Sequence, residues 1–254
     1  MSQINMMDQE INIPEKMNIF QRIGKLLFSP SKLFSFTRNK PTVLFPIILI
    51  CIGAVLVQLL LWEPSKNMAL DLMYNTYKNM GMNVSPAEIE QLLNASMILG
   101  VATSPIYYIG IWLVVTLVLY LIFRLVKCEK GLKKYFSMTG YIMVLSMLGA
   151  LLNAGFIYVT GSDLSGPAVT SLASLLDPDI KDTFLYGLVS QIEVFNLWTF
   201  ALYGIGFVYT GGVEKKKSYL LTTILAVIVI VASAGLSLLS TGLQNNLLGN
   251  IGGF

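Results

Sequence analysis

The chain has 254 residues, 55% apolar and only 12% charged, with a mean hydropathy of +0.69 and a net charge of +3. A soluble domain carries about 25% charged residues, so a water-soluble single domain is excluded. There is no histidine, the commonest metal ligand and general base. Zinc proteases, Ser-His-Asp hydrolases and Cys-His peptidases each need a group that the sequence does not contain. No cofactor, metal or enzymatic activity is expected.

In chain order, residues 1–15 are polar and irregular and read as a disordered cytoplasmic tail. The stretch 16–40 reads as an interfacial amphipathic segment. Ile19, Ile23, Leu26 and Leu27 fall at helical spacing, with Arg22 and Lys25 on the other face and Lys32 following. Such a helix lies in the headgroup boundary with its basic side toward anionic lipid. The alternative is a short cytoplasmic helix packed on neighbouring loops.

A bilayer core about 30 Å thick needs ~20 apolar residues in a helix. Five stretches qualify, 42–62, 97–123, 136–160, 188–210 and 219–240. The first begins too far along the chain for a cleaved signal peptide and reads as a signal anchor. The expected fold is therefore an all-α integral membrane protein with a five-helix transmembrane domain over 41–240. The outer loops, 63–96 and 161–187, should be helical, and 241–254 should form a short extracytoplasmic tail. Ser85-Pro86-Ala87-Glu88 combines an N-cap serine, a proline at the first helical position and a carboxylate at the third. It should start a helix that feeds the second span, in which Pro105 should produce a kink. Asp177-Pro178-Asp179 should likewise launch a helix running into the fourth span.

Orientation follows from Lys and Arg in the short loops. Fourteen of the 17 basic residues precede the first span, lie between spans two and three (Arg124, Lys127, Lys130, Lys133, Lys134), or lie between spans four and five (Lys215, Lys216, Lys217). The opposite side holds Lys66, Lys78 and Lys181 among eight carboxylates. The N-terminus is expected in the cytoplasm and the C-terminus outside.

Glu193 is the carboxylate nearest a span interior. An acidic side chain at the bilayer centre costs about 2.5–3.5 kcal/mol on insertion scales, so it must meet protein or water. On a continuous helix Glu193 and Asn196 share a face. One reading is a proton or substrate site. The other, preferred because a relay needs a second charged intramembrane group, is a polar clasp to span three with Asn153 or Ser146. Small residues recur at four-residue spacing, Ser146, Ala150 and Ala154 in span three and Ser233, Ser237 and Thr241 in span five. Such faces permit close helix approach, within the bundle or to a partner, and Gly204 and Gly206 carry the same reading. Cys51 and Cys128 lie at different depths and read as free thiols. Lys215–Lys217 is too small a patch for nucleic acid, and no nucleotide or Ca²⁺ loop is present.

These stretches resemble the Yip family of multispanning membrane proteins, in its bacterial branch. The similarity is carried by Leu27-Phe28-Ser29-Pro30 with Phe34, by the prolines Pro41 and Pro46, and by Lys130-Gly131-Leu132-Lys133-Lys134-Tyr135-Phe136. Ser171-Leu172-Ala173-Ser174-Leu175-Leu176 and Glu193-Val194-Phe195-Asn196-Leu197-Trp198 complete it. Family members often have Asp in place of Glu193. The Asp-Leu-Tyr-Gly-Pro-like element of the eukaryotic branch has no counterpart here, so small-GTPase binding is not expected. The resemblance implies a non-enzymatic adaptor or assembly factor in the bacterial cytoplasmic membrane. Its expected partners are lipids and another integral membrane protein, an ABC-type transporter or a second copy of itself. The alternative is a small proton-coupled permease or channel using Glu193 and Asn196.

Overall fold

A computed structural model describes residues 16–164, 166–177, 180 and 183–251, with side chains in the final helix described to Leu236 and at Leu239. The expected tail 1–15, Pro178-Asp179 and the side chain of Ser237 lie outside them. The described residues are helical, apart from turns, a short 3-10 segment and one isolated β-bridge. The helices are α1 (Ile19–Phe28), α2 (Pro30–Asn39), α3 (Leu44–Leu60), α4 (Trp62–Asn79), α5 (Pro86–Leu125), α6 (Leu132–Thr160), α7 (Phe184–Ser190), α8 (Val194–Tyr209) and α9 (Lys215–Ile251). The 3-10 segment is Leu172–Leu175.

Among the described residues, three helices are long and apolar enough to cross a membrane: α5, α6 and the Lys215–Leu236 part of α9. A fourth crossing is available if α3 and α4, bent by 53° about Leu61, form one broken span. The fourth stretch departs from expectation. Instead of one helix over 188–210, α7 stops at Ser190 and α8 starts at Val194, leaving 16 residues of continuous apolar helix. The helix expected to start near Asp177 is instead capped by Thr183, whose hydroxyl accepts the Tyr186 N–H. The stretch 241–251, expected as a tail, continues α9.

Local chemistry explains the other boundaries. Ser85 and Glu88 form the expected capping box: the Ser85 hydroxyl accepts the Glu88 N–H at 3.3 Å, and the Glu88 carboxylate accepts the Ser85 N–H at 2.9 Å. α5 then runs 40 residues through Pro105. It ends in a Schellman turn in which the Cys128 N–H donates to the Phe123 carbonyl and the Lys127 N–H to that of Arg124. Lys127 takes the left-handed conformation, φ +61°, that glycine usually supplies. α1 has a second capping box, between Asn18 and Gln21.

The chain divides into two compact units, each assembled from three separate stretches. The first comprises residues up to Ile52, Ile106–Leu148 and Phe195–Val227. Its core includes Leu33, Phe34, Phe123, Tyr135, Tyr141 and Phe207. Phe123 stacks on Phe207, centroids 3.5 Å apart, and the Trp112 indole donates to the Phe136 carbonyl and the Thr139 hydroxyl. Gly204 and Gly206 serve the close packing expected of them. A Cβ on Gly204 would stand 2.8 Å from the Tyr219 ring, and one on Gly206 2.6 Å from the Met138 sulfur.

The second unit comprises Gly53–Pro105, Gly149–Val194 and residues from Ile228 onward. Ile89, Leu93, Ala154, Ile157, Ala173 and Ala234 are buried within it. Gly187 of α7 packs on Ala234 of α9, whose Cα would be 3.2 Å from an added Cβ.

Candidate functional site

Three polar ties organise the side chains singled out in the sequence. The first is centred on Arg22. Its Nε donates to the Met17 carbonyl at 3.0 Å, and its Nη1 donates to the Thr42 hydroxyl at 3.0 Å and the Tyr141 hydroxyl at 3.1 Å. The guanidinium also sits 5.3 Å from the centroid of the Phe36 ring. Ser137 completes the tie by accepting the Thr42 N–H and donating to the Thr42 carbonyl. Arg22 is therefore corrected from a lipid-facing residue to an internal clamp, which joins α1 to the entry of α3 and to α6. A guanidinium presents five donors in a rigid fork, and here three of them go to protein acceptors. Lys25 and Lys32 are half-buried, while Phe20 and Phe28 are the strongly exposed side chains of α1.

The second tie was not visible in the sequence. Glu129, in the turn between α5 and α6, accepts from Arg38 Nη2 at 2.5 Å and from Lys134 Nζ at 2.6 Å. The Glu129 N–H donates to the Gly211 carbonyl at 2.8 Å, and its own carbonyl accepts the Tyr135 hydroxyl at 2.6 Å. Thr210 donates its hydroxyl to the Phe34 carbonyl. Burial pushes the Glu129 carboxyl up, but the Lys134 and Arg38 charges outweigh it and hold it below the usual carboxylate value. The missed signal was a lone acid, Glu129, in a loop of Lys and Arg.

The third tie holds Glu193, which immediately precedes α8 and is 8% exposed. It pairs by a backbone bridge with Ser171, and its carboxylate accepts the Thr170 hydroxyl. The Leu172 N–H donates to the Ile192 carbonyl at 2.9 Å, the Val194 N–H to that of Thr170 at 3.4 Å, and the Ser171 hydroxyl to that of Ser190 at 3.0 Å. The loop 168–176 thus supplies partners to backbone that the helix break leaves without helical ones. Asn153 belongs to the same arrangement, its carboxamide oxygen accepting the Val169 N–H at 3.0 Å. Ser146 bonds the Thr199 hydroxyl at 3.1 Å. Because Glu193 lies outside the helix, the shared-face argument with Asn196 does not apply, and Asn196 is exposed where Glu193 is buried.

Of the small-residue stripe, Ser146 is exposed, Ala150 half-buried and Ala154 buried within its own unit. On α9 Ser233 is half-buried, and the neighbouring Ala234 makes the close contact to Gly187. Among the described residues no cluster of Cys, Asp or Glu could hold a metal ion.

Long apolar helices that leave most of their surface uncovered, tied together by short polar networks, define a multi-helical integral membrane protein. Residues 24–237 match the Yip1 domain, and the chain belongs to that family. It is 26% identical over 228 residues to "Membrane protein YknW" of Bacillus subtilis (strain 168), covering 88% of this chain and 91% of the relative. No solved structure matches.

Proposed function

We propose that the chain is a non-enzymatic adaptor or assembly factor of the bacterial cytoplasmic membrane that binds another integral membrane protein, with an ABC-type transporter as the partner class. It crosses the bilayer five times with the N-terminus in the cytoplasm, α8 serving as a short fourth crossing. The ties at Glu129 support this orientation. Arg38, Glu129 and Gly211 come from the three segments that the charge count puts on one side, and they meet at one point. The adaptor reading rests on how polar groups and apolar surface are distributed. Arg22, Arg38, Glu129, Lys134 and Glu193 all have internal partners. The most apolar stretches of α5 and α9 are only 17% and 11% buried. Interaction surface is what such a molecule offers.

The helix break beside a buried carboxylate favours the second reading, a proton-coupled permease working through Glu193, because broken helices line substrate paths in many transporters. Proton uptake into proteoliposomes containing the purified chain separates the two. The adaptor reading expects no flux above protein-free vesicles. Flux that disappears in Glu193→Gln would establish the permease instead.

A further inference from the structure

The fourth crossing is too short to span by itself. α8 has 16 residues, about 24 Å at 1.5 Å per residue, against a hydrocarbon core of about 30 Å. Its usable length is smaller still. The Ser218 hydroxyl donates to the Gly204 carbonyl at 2.8 Å, and the Tyr219 ring lies against Gly204. Gly204 is therefore level with the start of the apolar part of α9, directly after Lys215–Lys217, where the charged boundary must lie. From there to Val194 is about 15 Å of helix, and tilting shortens the reach further. By either measure the break at Gln191–Glu193 falls inside the hydrocarbon thickness.

The loop 168–176 is hydrogen-bonded to that break through Leu172 and Val194, so it lies at the same depth. Its composition agrees. Residues 164–176 and 183–192 contain no Asp, Glu, Lys or Arg. Their exposed side chains include Leu172, Leu175 (81% exposed), Leu185 and Ile192, and the exposed hydroxyls of Ser174 and Thr183 donate to the Ser171 and Ile180 carbonyls. Irregular backbone survives in hydrocarbon only when its polar groups are satisfied, and here six of the N–H groups between Val169 and Leu176 have partners within the protein. The N–H groups of Ser171, Leu172, Ser174 and Leu176 donate to backbone carbonyls, that of Ala173 to the Ser171 hydroxyl, and that of Val169 to Asn153.

We propose that 168–176 is a re-entrant element embedded in the bilayer, and that it completes the short fourth crossing and presents Leu172 and Leu175 to lipid acyl chains. This differs from the helical outer loop expected over 161–187, and it rests on the reading of α8 as a membrane crossing. Single spin labels at Leu175→Cys, at Leu197→Cys on α8 and at exposed Asn79→Cys test it. They are placed in a variant lacking Cys51 and Cys128 and reconstituted in phosphatidylethanolamine–phosphatidylglycerol vesicles. Collision rates with oxygen, which concentrates in lipid, and with a water-soluble nickel chelate are then compared. Leu175 is expected to favour oxygen as Leu197 does, with Asn79 favouring the chelate. Chelate access at Leu175 with lipid access at Leu197 overturns the re-entrant element alone. Chelate access at both overturns the α8 crossing as well. Low access to both reagents at Leu175 means that protein covers it, and also overturns the proposal. Because Leu175 makes little internal contact, its substitution should leave the fold intact, which the melting profile of each labelled variant verifies.

Discussion

Glu129 accepts a hydrogen bond from Arg38 at 2.5 Å, joining the segment ahead of the first apolar helix to the turn ahead of α6. Lys134 holds the other carboxylate oxygen at 2.6 Å. The folded carboxyl titrates below its ordinary value of 4.5. The ionised form therefore stabilises the fold above that value, and the contribution is lost as pH falls through the lower folded value. Glu129→Gln should cost about 1 kcal/mol in detergent at neutral pH, since the group is a third exposed and partly screened. The difference from wild type should shrink on acidification. Thermal melts across the acid range check both.

Glu193 and Thr170 form the corresponding link across the helix break. Glu193→Leu should destabilise by about 1–3 kcal/mol, because the Thr170 hydroxyl loses its acceptor in a buried setting. Glu193→Gln should cost less, since an amide oxygen still accepts. Combining Glu193→Leu with Thr170→Val should cost less than the sum of the single changes. Additive losses in melting experiments would mean that the bond contributes nothing.

Gly211 has no room for a side chain. An added Cβ would lie 2.7 Å from the Phe207 carbonyl oxygen and 3.2 Å from the Tyr135 hydroxyl. The first of these is backbone and cannot swing aside. Gly211→Ala should destabilise by about 1–3 kcal/mol, as overpacking does, and should also strain the bond from Glu129. Gly206→Ala meets only the flexible end of Met138 and should cost less. Melting temperatures of the two variants give the order.

Topology is tested with an impermeant thiol reagent on intact cells, in a background without Cys51 and Cys128. Cysteines at the exposed positions Asn83 and Thr160 should react, and those at Lys133 and Lys216 should not. Labelling at Lys216 alone among the latter pair would mean that α8 does not cross.

Much of this architecture was legible in the sequence, for reasons that differ by element. The apolar blocks that became α3, α5, α6 and α9 are continuous because lipid demands it, and Ser85–Glu88 started α5 because its capping chemistry is local. The break at 191–193 was hidden, since Gln191-Ile192-Glu193 contains neither Gly nor Pro. What ends the helix there is a loop twenty residues upstream offering alternative hydrogen bonds. Arg22 misled because helical periodicity gives a face, while Tyr141 and Thr42, distant in sequence, decide where that face points. Lys127 ends α5 in a conformation that sequence reading assigns to glycine.

The adaptor reading is tested most directly by purifying the tagged chain from its native membranes in mild detergent and quantifying what elutes with it. A second integral membrane protein is expected in a constant molar ratio. Its recovery should fall severalfold in at least one of the single substitutions Val114→Phe and Val227→Phe at exposed positions, with melting temperature unchanged. A chain that elutes alone, or with companions whose amounts none of these substitutions alters, would contradict the account.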